Sequence, residues 1–150
     1  MKTILVPIDL SDVTPDVLGA AGALARSLSA KIVLAHVTRP PLIATECGPV
    51  VAQQQAADDH DVLARLAYWQ GELQREGLIA ETSRLYGQPV GCIREKAERL
   101  GADYIVLGSH GHGALYELLI GSTAADLLKH SPCPVLVVPV HRQEPTAAAR

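Results

Sequence analysis

Five short runs of aliphatic, largely β-branched residues recur along the 150-residue chain, and between them apolar residues return at helical spacing. That alternation is the pattern of an α/β fold, each strand followed by a helix that packs back onto the sheet. The first run, Thr3 to Asp9, has no period of two. A strand exposed on one face alternates and one covered on both faces does not, so this run is expected inside a parallel sheet. Pro7 has no N–H to give to a ladder and belongs at a strand end, which puts the functional end of the strand there.

The remaining runs are Lys31 to Val37, Ile79 to Tyr86, Tyr104 to Leu107 and Val135 to Val140. The third mixes polar and apolar residues more evenly, as an edge strand would. Thr14-Pro15-Asp16 reads as a helix start, with a capping hydroxyl, Pro at the first helical position and an acid in the positive first turn. Val17, Ala21, Leu24 and Leu28 follow on one face. Val62, Leu66, Trp69 and Leu73 mark a second helix over Val51 to Glu76, Pro89 opens a third, and Gly121 to Lys129 reads as a fourth. Pro40, Pro41, Gly48 and Pro49 place a loop before the second helix. Together these segments predict one doubly wound, five-stranded parallel sheet with about four helices. The domain is expected to cover residues 1–141, followed by a polar, Ala-rich tail at 142–150 that should fray.

Net charge is -3, and aromatics amount to 3% with no Phe. A phosphate-tracking surface and a stacking platform for single strands are both missing, so nucleic acid is not an expected partner. Cys47, Cys92 and Cys133 are widely separated, odd in number and contain no C-x-x-C pair, which fits neither a disulfide framework nor a zinc knuckle. The apolar run Ile4 to Ile8 is too short for a signal peptide or a membrane span. A cytoplasmic protein without membrane association is expected.

In open parallel sheets a ligand binds beyond the carboxyl ends of the strands, where the strand order reverses. After the fourth run come Gly108-Ser109-His110-Gly111-His112-Gly113, and further on Gly121-Ser122-Thr123 at a helix start. Glycines at a strand exit let the backbone take positive φ and approach a ligand closely. Hydroxyls at a helix N-terminus, beside unpaired N–H groups, favour an anion. A Walker loop, G-x-x-x-x-G-K-[ST], does not occur. Tyr116 stands where a dinucleotide fingerprint starting at Gly111 wants glycine. Asp9-Leu10-Ser11-Asp12 differs from the Ser-Gly-Gly stretch of ATP pyrophosphatases.

The spacing Gly108-x2-Gly111-x9-Gly121-Ser122 resembles the G-x2-G-x9-G-[ST] pattern of the ATP-binding branch of the universal stress protein family. Ile4-Leu5-Val6-Pro7-Ile8-Asp9-Leu10-Ser11, Asp103 to Gly111 and Pro132-Cys133-Pro134-Val135-Leu136-Val137-Val138 extend the likeness over nearly the whole chain. The resemblance implies strand order 3-2-1-4-5 and a switch point between strands one and four. It places adenine near Pro7, Asp9 and Val37, with Leu107 and Gly108 beside base and ribose, and ribose and phosphates along Gly111, Gly121, Ser122 and Thr123. It implies ATP, ADP or AMP as ligand with Mg²⁺ or Mn²⁺, and a homodimer paired through Val135 to Val140. An exposed apolar edge strand points to such pairing independently. No Lys or Arg lies between Arg99 and Lys129, so the phosphates are expected on backbone N–H groups, hydroxyls, a histidine and the cation.

Several residues carry two readings. Asp9 either caps a turn or faces the ligand. His110 and His112 suggest a metal pair or a phosphate contact, and a third metal ligand at suitable spacing is not evident. His36, His60, His130 and His141 read as structural or solvated, and Cys133 as a small buried hydrophobe. The Trp69 stripe reads as core or as cover for a neighbouring chain. For the whole protein the leading expectation is a nucleotide-responsive regulator with at most slow ATP hydrolysis. The alternatives are a dimeric interaction protein of the same fold that binds no nucleotide, and a phosphoryl- or nucleotidyl-transfer enzyme.

Overall fold

The computed structural model describes residues 1–39, 49–109 and 120–139, with 49–57 described in backbone only. In chain order these form β1 (Thr3–Pro7), α1 (Thr14–Leu28), β2 (Lys31–Thr38), α2 (Pro49–Arg75), β3 (Ala80–Tyr86), α3 (Pro89–Leu100), β4 (Tyr104–Gly108), α4 (Ser122–His130) and β5 (Val135–Val138). The strands build a five-stranded sheet in the order β3-β2-β1-β4-β5. Every neighbouring pair is parallel.

Alternate residues of the central strands feed two hydrophobic cores. Ile4 and Val6 of β1, Ile32 and Leu34 of β2 and Val106 of β4 join Val17, Leu18 and Ala21 of α1 and Leu66 and Leu73 of α2. Leu5, Val33, Ala35, Ile105 and Leu107 point the other way, onto Ile93 and Ala97 of α3 and Ala124 and Leu127 of α4. With both faces covered, no position in these strands needs to be polar, and the sequence shows no period of two. Ile4, Leu5 and Val6 are fully buried, each contributing about 1.5–3 kcal/mol relative to an exposed side chain. Val62 and Trp69 pack against the first core, so the Trp69 stripe faces inward. β3 lies at the sheet edge with Glu81 and Thr82 exposed, in keeping with its mixed composition.

Three local details differ from the sequence reading. Val13 caps α1, and Thr14 is the first residue inside the helix, one ahead of Pro15. The Thr14 side chain is 1% exposed, and its hydroxyl forms no capping bond. β5 stops at Val138, because Pro139 has no N–H to continue the ladder. Val140, His141 and the tail lie outside the described residues. Among those described, no helix is long and apolar enough to cross a membrane.

β1 leads through α1 to β2 on one side, whereas β4 leads through α4 to β5 on the other. The two connections therefore diverge onto opposite faces at the carboxyl ends of β1 and β4. A crevice opens between them, as the topology of such sheets requires.

Candidate functional site

A cleft of about 680 Å³ occupies that crevice. On the β1 side, parallel pairing continues one residue past the strand, with Ile8 N–H donating to the Ala35 carbonyl at 2.8 Å. The chain then turns through Leu10 at φ 61, a left-handed conformation that costs an L-residue about 1–2 kcal/mol. Burial holds Leu10 there, at 3% exposure. The Arg65 guanidinium of α2 adds to this by donating to the Leu10 carbonyl. The turn brings the Ser11 N–H and hydroxyl to Asp9 Oδ1, at 3.0 and 2.6 Å. Asp9 Oδ2 is buried without a partner among the described residues, and so is Thr14 Oγ1. Both residues line the cleft. Buried polar atoms are rarely left unpaired, since each costs about 1–3 kcal/mol, and here both belong to residues in the cleft wall. Asp9 thus organises a turn through Oδ1 and stands in the wall of the cleft.

On the opposite side, Leu107 and Gly108 at the end of β4 line the cleft together with Gly121, Ser122 and Thr123. Ser109 N–H donates to Val138, and the Ser109 carbonyl receives Gly121 N–H at 2.7 Å, which ties the start of α4 to the sheet. The first bond of the helix runs from Ala125 N–H to the Gly121 carbonyl. The amides of Ser122, Thr123 and Ala124 therefore precede the helical ladder and favour an anion. Gly121 sits at φ -59 and Gly108 pairs within the sheet opposite Val138. Gly108 does not take the positive φ expected of the strand-exit glycines, and Gly111 and Gly113 lie outside the described residues.

Pro7 and Val37 complete the set of described residues expected to line the site, and both do. His110, Gly111 and His112 lie outside the described residues. Val13, Thr14, His36, Arg39 and Ile93 also line the cleft and were not anticipated there. Val13 and Thr14 follow from the helix start after β1, whereas His36 and Arg39 come to the cleft through the pairing of β2 beside β1. The His36 ring is fixed by Nδ1 lying 2.9 Å from the Ile8 carbonyl. A carbonyl can only accept, so Nδ1 carries the proton. Arg39 adds a basic residue to the cleft that the stretch between Arg99 and Lys129 lacks, brought there by a strand distant in sequence. Elsewhere, His130 Nδ1 lies 3.1 Å from the Asp126 carbonyl, His60 is exposed, and Cys133 is partly buried against the second core.

A model of the universal stress protein family matches residues 1–139. The chain belongs to that family. Universal stress protein YxiE of Bacillus subtilis is 32% identical over 142 residues, covering 89% of this chain and 96% of its own. The solved universal stress protein UspA of Lactobacillus plantarum superposes with a TM-score of 0.82 at 26% identity, covering 91% and 97% of the two chains. A universal stress protein solved in complex with cAMP superposes at 0.69 with 25% identity, covering 91% and 95%. The universal stress protein fold accounts for the sheet order and for the position of the cleft at its switch point.

Proposed function

We propose that this universal stress protein binds an adenine nucleotide in the cleft and acts as a cytoplasmic, nucleotide-responsive regulator in stress response. One observation carries the reading: Asp9 and Thr14, each with a buried oxygen unpaired among the described residues, line the same cleft as the residues whose amides stand open at the start of α4. The first suit the edge of a base and the second suit phosphate. A volume of about 680 Å³ is of the size that small-ligand sites occupy. The cAMP complex of a related universal stress protein supports the adenine assignment. Base and ribose would lie against Pro7, Asp9, Val37, Leu107 and Gly108, and phosphates along Gly111, Gly121, Ser122 and Thr123, with His110 or His112 as a further contact.

ATP, ADP and AMP all fit this scheme. Mg²⁺ or Mn²⁺ would arrive on the phosphates, and the Ser122 and Thr123 hydroxyls are oxygen donors suited to such an ion. The proposal is of a binding protein in which hydrolysis is slow at most. We extend it to a homodimer paired along β5, whose Leu136 is 42% exposed at the sheet edge.

The test is calorimetric titration with ATP and Mg²⁺ of the wild type, Asp9→Ala and Gly121→Val. Micromolar binding by the wild type and a loss of about tenfold or more in each variant are expected. Unchanged affinity in both variants would place the ligand elsewhere.

A further inference from the structure

Arg39 follows directly after β2 and is exposed. It lines the main cleft and also an adjoining cavity of about 310 Å³, which it shares with Gln88, Pro89, Ser122, Thr123 and Asp126. Apart from His36, it is the one basic side chain lining either cavity among the described residues. Among the described residues, no hydrogen bond or ion pair occupies it there. Asp126 lines the adjoining cavity too, without reaching ion-pair distance of Arg39. Arg39 thus lies where the two cavities meet, unpaired among the described residues, and Ser122 and Thr123 border the same space.

We propose that Arg39 is a specificity-determining residue that makes this site read phosphate charge, favouring nucleotides with an extended polyphosphate over nucleoside and monophosphate. This rests on the adenine-nucleotide reading above and goes beyond it by naming what separates one adenine ligand from another. A guanidinium presents paired N–H donors that match phosphate oxygens and stays charged at any physiological pH. The open amides of α4 favour negative charge at the start of the phosphate chain, but as partial charges they act over only the first turn. Arg39 contributes a full charge where the chain would run on into the adjoining cavity. Asp126 opposes an anion there, so the balance of these two side chains sets how much each added phosphate contributes.

Arg39→Gln keeps much of the side-chain length and removes the charge, Arg39→Lys keeps the charge without the fork, and Asp126→Asn removes the opposing carboxylate. Each purified full-length variant is titrated by calorimetry with ATP, AMP and adenosine in EDTA, at low and high salt. Arg39→Gln should weaken ATP about tenfold or more, weaken AMP less, leave adenosine unchanged and flatten the salt dependence of ATP binding. Arg39→Lys should recover part of the loss, and Asp126→Asn should tighten ATP. Equal losses for ATP and adenosine, or no loss for ATP, would overturn the assignment while leaving the adenine reading intact. Failure of the wild type to bind adenosine and ATP alike would overturn both.

Discussion

Ser11 holds one oxygen of Asp9 and not the other: its N–H and hydroxyl both donate to Oδ1, at 3.0 and 2.6 Å. Oδ2 is buried and unpaired among the described residues. Asp9 lines the cleft, so substitutions can separate the turn from the proposed ligand role.

Asp9→Asn can keep both Ser11 bonds on its amide oxygen while placing an NH₂ group where Oδ2 stood. Exchanging a charged acceptor for a neutral one should cost about 1 kcal/mol of stability. In the proposed site a donor would then face the adenine amino group, and adenosine affinity should fall about tenfold. Asp9→Ala removes the turn bonds as well and should cost about 1–3 kcal/mol. Urea unfolding and calorimetry read the two effects. Wild-type affinity in Asp9→Asn would take Oδ2 out of ligand recognition.

Leu10 combines left-handed backbone with a buried side chain. Leu10→Ala loses packing worth about 2–5 kcal/mol and keeps the strain. Leu10→Gly loses the same packing but relieves about 1–2 kcal/mol of strain, partly offset by the greater freedom of glycine in the unfolded chain. Leu10→Gly should therefore be as stable as Leu10→Ala or more so, the reverse of their usual order. Denaturant midpoints that place glycine well below alanine would show that this backbone carries no strain.

Burial raises the Cys133 thiol above its ordinary pKa, the Asp103 carboxylate adds to the rise, and a hydrogen bond with Ser131 offsets part of it. A raised pKa in the folded state stabilises the fold below the unfolded value, and that contribution is lost as pH rises through the folded value. Stability should decline above the ordinary thiol pKa of about 8.5, and Cys133→Ala should flatten that part of the profile. Alkylation of Cys133 at pH 8, followed by peptide mass mapping, should be slower in the folded protein than in urea. Equal rates would contradict the shift.

Much of the fold was legible because each element carried its own local pattern. The unbroken apolar runs of β1, β2 and β4 reflect two covered faces, and the mixed run of β3 reflects an edge. Pro7 and the Gly121-Ser122-Thr123 start of α4 were legible in the same way, since strand exits and helix starts have local signatures. Arg39 and His36 were not, because they reach the cleft through the pairing of β2 beside β1, a relation between distant segments. Thr14 was read as a cap on residue type, yet Val13 takes that position and the threonine hydroxyl turns inward. Among the described residues around the cleft, positive φ occurs at Leu10, whose burial and whose Arg65 contact offset the strain.

The most direct measurement is an amide chemical-shift map of the labelled protein titrated with AMP and with ATP. The account predicts saturable shifts concentrated at Asp9, Thr14, Val37, Leu107, Gly108, Gly121, Ser122 and Thr123, with little change along α2 or β3. Absence of saturable shifts, or shifts gathered away from the carboxyl ends of β1 and β4, would contradict it.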